Sequence, residues 1–141
     1  MKWLTFFTCC LVSLASWAQV DSTILARSAR MNQSGCQQLN WLPDGPSGTA
    51  ATALAERDIQ AGTPFLILAS GEAPIVITTD AAFERQFKVE YFEMGCISPN
   101  LVSMRAYNAR MFTYLQATYG KAWRRRVRSD VVGLAQWHPQ P

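Results

Sequence analysis

The sequence predicts an α+β domain: a small antiparallel sheet of about three strands, packed against one long C-terminal helix plus shorter helices, with one disulfide. Short β-branched runs bounded by turn residues favour the strands, and a long stretch without Gly or Pro favours the helix. The chain has 141 residues, 49% of them apolar, which suits one domain and excludes a disordered chain. A largely helical domain with one hairpin is the alternative.

Residues 1–18, MKWLTFFTCCLVSLASWA, have the three-part pattern of a secretory signal peptide. Lys2 supplies the positive charge, residues 3–14 are nearly all apolar, and Ser16 and Ala18 form a small-x-small cleavage site. We therefore expect a mature chain that begins at residue 19 and is exported to the periplasm or the extracellular space.

The apolar stretch is shorter than the roughly 20 residues that span a bilayer, and no later stretch approaches that length. The mature chain is therefore expected to have no transmembrane segment. An uncleaved membrane anchor is one alternative. A lipoprotein is disfavoured because Cys9 and Cys10 lie inside the apolar stretch, ahead of the cleavage site.

Two cysteines, Cys36 and Cys96, remain after cleavage. In an oxidising compartment they favour a single disulfide, which would close a loop of about 61 residues and stabilise the fold by roughly 4 kcal/mol. Two free thiols, a redox pair or half of a metal site are the alternatives. The sequence has no CxxC motif and only one His, so we expect neither a metal site nor a cofactor.

Residues 19–48 are predicted to be an N-terminal arm followed by a Gly/Pro-rich loop, with the turn sequence LPDGPSG at 42–48. Trp41 precedes this turn and is a candidate contact residue, since aromatic side chains in such loops bind sugars or partner proteins. Packing of Trp41 into the core beside Cys36 is the alternative.

Residues 49–137 are predicted to form the compact α+β domain, and residues 138–141 a tail. Its first part should contain a short helix at 49–57, strands at 65–69 and 75–78 joined as a hairpin, a short helix at 81–87 and a third strand at 88–93. The long helix should cover 101–119 and end at Gly120. A second helix is expected over 121–130, and then a short helix or final strand over 131–137.

Charge is segregated along the mature chain. Residues 19–93 carry five basic and nine acidic groups, whereas residues 94–141 carry seven basic groups and one acidic group. The basic cluster includes Arg126 and four residues that we identify as candidate anion- or partner-binding residues: Lys121, Arg124, Arg125 and Arg128. The alternative is a solvated helix that pairs with the acids of the N-terminal half.

No nucleophile elbow, Walker loop, zinc-protease motif or dinucleotide fingerprint occurs in the sequence. The one His, His138, lies in the tail, and we assign no catalytic residue. Catalysis would instead need two carboxylates, such as Asp58 and Glu90, to face one cleft.

The sequence therefore predicts a small exported, non-catalytic binding or accessory protein of unknown ligand. Its basic helix would contact an anionic surface, a polymer or an acidic protein. Nucleic acid is disfavoured, because the chain is exported and has no nucleic-acid-binding motif. A small secreted hydrolase that uses paired carboxylates and a protein inhibitor are the alternatives.

Overall fold

The computed structural model describes residues 22, 24–42, 48–69, 75, 77–95 and 99–139. The proposed signal peptide and Cys96 lie outside these residues. The chain divides into two units, residues 1–32 and 33–141. In the first unit the structure describes residues 22 and 24–32. Residues 24–33 form a helix, α1, whose last residue belongs to the second unit.

Four helices and two strands form the described part of the second unit: α2 (Gly35–Gln38), α3 (Gly48–Gln60), β1 (Phe65–Leu68), α4 (Asp80–Phe87), β2 (Glu90–Glu93) and α5 (Leu101–Tyr119). Short 3₁₀ turns cover Leu39–Trp41, Ala122–Arg125 and Leu134–Gln136. The chain therefore combines helices and strands, as the α+β class requires.

Helices α3 and α5 pack against each other. Ala51 and Ala55 lie one helical turn apart on α3 and are fully buried, so their small side chains allow close approach. Tyr107 and Met111 occupy the buried face of α5. The side chain of Asn100 begins α5 by accepting a hydrogen bond from the amide of Val102 at 2.8 Å.

The predicted antiparallel three-stranded sheet is wrong. In the described residues, β1 and β2 form a two-stranded parallel sheet that pairs Phe65 with Glu90 and Leu68 with Glu93. Parallel neighbours need a crossover connection, and α4 lies within it. Ile75 and Ile77, which we expected in the middle strand, are exposed and belong to no strand.

The C-terminal segment covers the other edge of β1. Leu68 forms an isolated antiparallel bridge with Val131, and the amide of Val132 donates to the carbonyl of Ile67 at 3.0 Å. The four residues of β1 are all buried because neighbours lie on both of its edges and α5 packs against it. Only one residue of the expected final strand, Val131, pairs with a strand in this way.

The predicted disulfide is not found, and Cys96 lies outside the described residues. Cys36 is a free thiol and is fully buried. The prediction relied on counting cysteines in an exported chain. Such counting could not show that α2 packs against α3 and encloses Cys36 beside Tyr107 and Asp58.

The predicted second helix over residues 121–130, which we call the basic segment, is also wrong. After Gly120, which turns the chain with a positive φ of 63°, the segment forms a 3₁₀ turn at Ala122–Arg125. Arg126 then closes the turn by donating its amide to the carbonyl of Trp123. In this turn Trp123 is buried, whereas the residues on either side of it are exposed.

Candidate anion-binding surface

Trp123 anchors the basic segment to the core. Its side chain is fully buried and stacks on Phe112 of α5, with the ring centroids 5.5 Å apart and the planes at 14°. Because Trp123 points inward from a tight turn, its neighbours in the chain point outward. The neighbours that are exposed are Lys121, Ala122, Arg124, Arg125 and Arg126.

Two of the exposed cations of this segment, Arg124 and Arg126, contact neutral groups. The guanidinium of Arg124 lies 5.3 Å from the centroid of the Trp137 ring and donates to the Trp137 carbonyl at 3.4 Å. Arg126 donates to the side-chain oxygen of Gln86. Within the described part of the chain, no ion pair joins Lys121, Arg124, Arg125 or Arg126 to an acid. Their positive charge is therefore left for solvent or a partner.

Arg128 has a different environment. It is buried and makes a two-point contact with Asp130, from Nε at 2.9 Å and from Nη2 at 2.5 Å. Its Nη1 donates to Asp80 at 3.0 Å and to the carbonyl of Ile75 at 2.8 Å. The structure therefore places Arg128 inside the protein, apart from the three other candidate residues of the basic cluster.

The groups around Arg128 alter one another's acidity. Hydrogen bonds to Asp130 raise the pKa of Arg128 above its usual range, and the same bonds lower the pKa of Asp130. The guanidinium also lies 5.6 Å from the ring centroid of Tyr91, and burial raises the pKa of that phenol. Arg128 therefore remains charged and acts as an internal tie between the crossover, β2 and the C-terminal segment.

Other acids of the N-terminal half are also held away from the basic segment. Glu56 of α3 pairs with Arg110 of α5 at 2.6 Å. Glu84 accepts a hydrogen bond from the amide of Tyr91 at 2.9 Å, on the strand edge. Arg128 therefore pairs with the protein's own acids, as the alternative interpretation of the basic segment expects. Among the described residues, no ion pair joins the exposed cations of this segment to an acid.

Asp58, a candidate for carboxylate chemistry, is only 2% exposed. Its oxygens accept from the amide of Gly35 at 2.9 and 2.7 Å and from the hydroxyl of Tyr107 at 2.6 Å. Burial raises the pKa of the Tyr107 phenol and of the Cys36 thiol beside it. This arrangement ties α2 to α3 and α5, and it leaves Asp58 no open cleft in which to meet a substrate. The other candidate, Glu90, lies on β2 opposite Phe65.

Trp41, the candidate loop contact, ends the 3₁₀ turn Leu39–Trp41 and is 81% exposed. The alternative, that it packs into the core, is not what the structure shows. Residues 43–47 of the following turn sequence lie outside the described residues, so only Trp41 itself can be placed.

The structure adds two residues that sequence reasoning missed. The bond between Arg126 and Gln86 brings the C-terminal turn of α4 beside the basic segment, and Arg85 and Lys88 flank Gln86 as exposed cations. The spacing of Phe83 and Phe87 indicates which face of α4 is buried. Nothing in the sequence indicates that its outer face adjoins a segment 40 residues away.

In the ranges that the structure describes, no three His, Cys, Asp or Glu side chains are grouped to hold a metal ion, and no helix is both long and apolar enough to cross a bilayer. Comparisons with protein-family models, with curated proteins and with solved structures find no match to this chain. We therefore infer its function from the chemistry of the surface alone.

Proposed function

We propose that this chain is a small exported, non-catalytic binding protein whose basic surface contacts an anionic partner. The basic surface is defined by four exposed cations, Lys121, Arg124, Arg125 and Arg126. The observation that carries the proposal is that none of these cations is ion-paired in the described residues, although the same stretch of chain contains the fully paired Arg128.

Elementary electrostatics supports this function. Like charges placed side by side repel one another, so a cluster of unpaired cations costs some folding stability. An anionic partner would remove that cost, and it would displace the counterions that the cluster holds. Arginine contributes a planar fork of donors that matches carboxylate, sulfate and phosphate groups.

The pattern of residues 1–18 supports export, which would direct the protein to the periplasm or the extracellular space. The hydrolase alternative gains no support, because Asp58 is buried and its oxygens are occupied by Gly35 and Tyr107. Binding therefore accounts for the exposed chemistry better than catalysis does.

The test is retention on immobilised heparin under a salt gradient. The double variant Lys121→Gln with Arg125→Gln removes two exposed charges, neither of which is ion-paired among the described residues. We expect this variant to elute clearly earlier than the wild-type protein and to bind with a roughly tenfold weaker Kd. The matched control is Arg57→Gln with Arg105→Gln, which removes the same charge elsewhere. Arg105 lies about 20 Å before the end of α5, at 1.5 Å per helical residue.

The control variant should elute close to the wild-type protein. Circular dichroism should show that both variants fold, because all four side chains are exposed. Equal retention of the wild-type protein and the Lys121/Arg125 variant would disprove the proposed function, and so would an equal loss in the control.

A further inference from the structure

We propose that the C-terminal turn of α4 completes the basic surface and that the completed surface binds a linear polyanion, a polymer carrying repeated sulfate groups. This inference rests on the proposed function and deepens it. It adds Arg85 and Lys88 as binding residues and names the chemical class of the partner.

Two contacts join α4 to the end of α5 and to the segment that follows it. Arg126 donates to Gln86, and the rings of Phe87 and Tyr119 meet edge to face with their centroids 5.3 Å apart. Gln86 thus contacts Arg126, and two cations near Gln86 in the chain, Arg85 and Lys88, are exposed. On this proposal, the end of α4 and the segment after α5 together supply six exposed cations: Arg85, Lys88, Lys121, Arg124, Arg125 and Arg126.

The backbone at Lys88 is a second, independent observation. Lys88 ends α4 in the left-handed conformation, with φ 49° and ψ 44°. Among the described residues it is the one residue other than glycine with a positive φ, whereas Gly62, Gly95, Gly120 and Gly133 fill the other such positions. Glycine is the usual residue where a helix ends in this way, because a Cβ atom is strained there.

Strained residues cluster at functional sites, where the side chain provides something that the easier residue lacks. What Lys88 provides is an exposed charge two residues along the chain from Gln86, the residue that Arg126 contacts. A cation at a helix C-terminus also interacts favourably with the helix dipole, so a purely structural role must be separated from binding by experiment.

The composition of the surface favours a polymer over a membrane. Membrane-binding surfaces combine basic residues with exposed apolar side chains that enter the lipid. The large apolar residues that are exposed in the described chain belong to other segments: Ile24, Leu25, Trp41, Ile75, Ile77, Leu101 and Val102. Six cations with no apolar anchor among them fit a ligand that offers many oxyanions and no hydrocarbon.

The experiment measures binding of a size-defined heparin oligosaccharide by titration calorimetry at several salt concentrations. Each contact to an anionic polymer contributes about 0.7–0.9 to the slope of log K against log salt concentration. We expect Arg85→Gln with Lys88→Gln to weaken binding at least fivefold and to lower that slope by about 1.5, as Lys121→Gln with Arg125→Gln should. The Arg57/Arg105 control should keep the wild-type slope.

The outcomes separate the two proposals. If the Lys121/Arg125 variant loses affinity while the Arg85/Lys88 variant binds like the wild-type protein, this inference fails and the proposed function stands. If the wild-type protein does not bind the oligosaccharide but binds vesicles of phosphatidylcholine and phosphatidylglycerol, this inference fails and the partner is an anionic membrane. Binding to neither probe would overturn both proposals.

Lys88→Gly tests the role of the strained residue directly. We expect this variant to melt at the same or a higher temperature, because glycine relieves the left-handed strain, and yet to bind the oligosaccharide at least twofold more weakly. Lys88→Arg should retain binding. A Gly variant with unchanged affinity would show that Lys88 serves the helix end alone, and would remove it from the surface.

Discussion

The side chain of Asn108 hydrogen-bonds to both backbone groups of Ile67, accepting from its amide at 3.0 Å and donating to its carbonyl at 2.9 Å. It also donates to the carbonyl of Val132 at 2.8 Å. One fully buried amide on α5 thus holds β1 and the C-terminal segment together. Buried backbone amides and carbonyls need hydrogen-bond partners. The side chain of Asn108 supplies partners to Ile67 and Val132 that a neighbouring strand would supply in a larger sheet.

Asn108→Ala should therefore be strongly destabilising. It leaves the amide of Ile67 and the carbonyl of Val132 without the side chain that bonds them, and each buried unpaired group costs about 1–3 kcal/mol. We expect a loss of about 2–6 kcal/mol in the free energy of unfolding, measured with urea. Thr113→Ala on the exposed face of the same helix is the control and should cost less than about 0.5 kcal/mol. A loss near the control value would show that Asn108 is not a structural tie.

Gly35 should be equally intolerant of a side chain. A Cβ atom there would lie 2.7 Å from the carbonyl oxygen of Leu54 and 2.9 Å from Asp58, so α2 would have to move away from α3. We expect Gly35→Ala to destabilise the protein by about 2–3 kcal/mol. Gly48→Ala is the matched control, because among the described residues its Cβ would meet Ala106 alone, at 3.7 Å.

Alanine at position 48 should leave stability unchanged or raise it by up to about 1 kcal/mol, since it favours the helix more than glycine does. Thermal melting of both variants under the same conditions gives the comparison. Similar melting temperatures for the two variants would contradict the close approach of α2 to α3.

Local sequence pattern predicted much of the fold. The helix at Leu101–Tyr119, its end at Gly120 and the buried run at Phe65–Leu68 agree with expectation because periodicity and turn residues act within a few residues. Strand pairing was predicted wrongly because it depends on distant partners. The β-branched run at 75–78 favoured a hairpin, yet Ile75 instead bonds Glu93 and Arg128 through its backbone.

The candidate surface was predictable only in part. The run from Lys121 to Arg126 is visible as a cluster of charge, but the sequence could not separate exposed Arg125 from buried Arg128. Three residues apart, they differ because Asp80, Asp130 and Glu93 come together around Arg128 from three different segments. Gln86 adjoins the cluster for the same reason, through its tertiary contact with Arg126.

Cys36 should behave as a buried free thiol. Burial raises its pKa, so the reactive thiolate is scarce and the sulfur is inaccessible. We expect iodoacetamide to leave Cys36 unmodified in the native protein and to alkylate it fully in guanidinium without reductant, as peptide mass spectrometry would show. A peptide in which Cys36 is already disulfide-bonded before reduction would contradict the structure and support the pairing that the sequence suggests.

The contact between Arg128 and Asp130 predicts how stability depends on pH. Arg128 lowers the pKa of Asp130 in the folded protein. In the unfolded chain the pKa of an Asp side chain is about 3.9. The folded state therefore holds the proton less tightly than the unfolded state. The resulting stability is complete above the unfolded pKa and is lost as the pH falls through the folded pKa.

Asp130→Asn removes this contribution. At pH 7 the variant should therefore be less stable than the wild-type protein by about 1 kcal/mol. The loss is modest because solvent screens the partly exposed carboxylate of Asp130. The two unfolding curves should converge as the pH is lowered below about 4. Glu56→Gln, which breaks the half-buried pair with Arg110, is the control for the loss of any carboxylate. A constant difference between Asp130→Asn and the wild-type protein from pH 7 to pH 3 would mean that the charge of Asp130 does not stabilise the fold. In that case the tie at Arg128 would depend on Asp80 and the carbonyl of Ile75 instead.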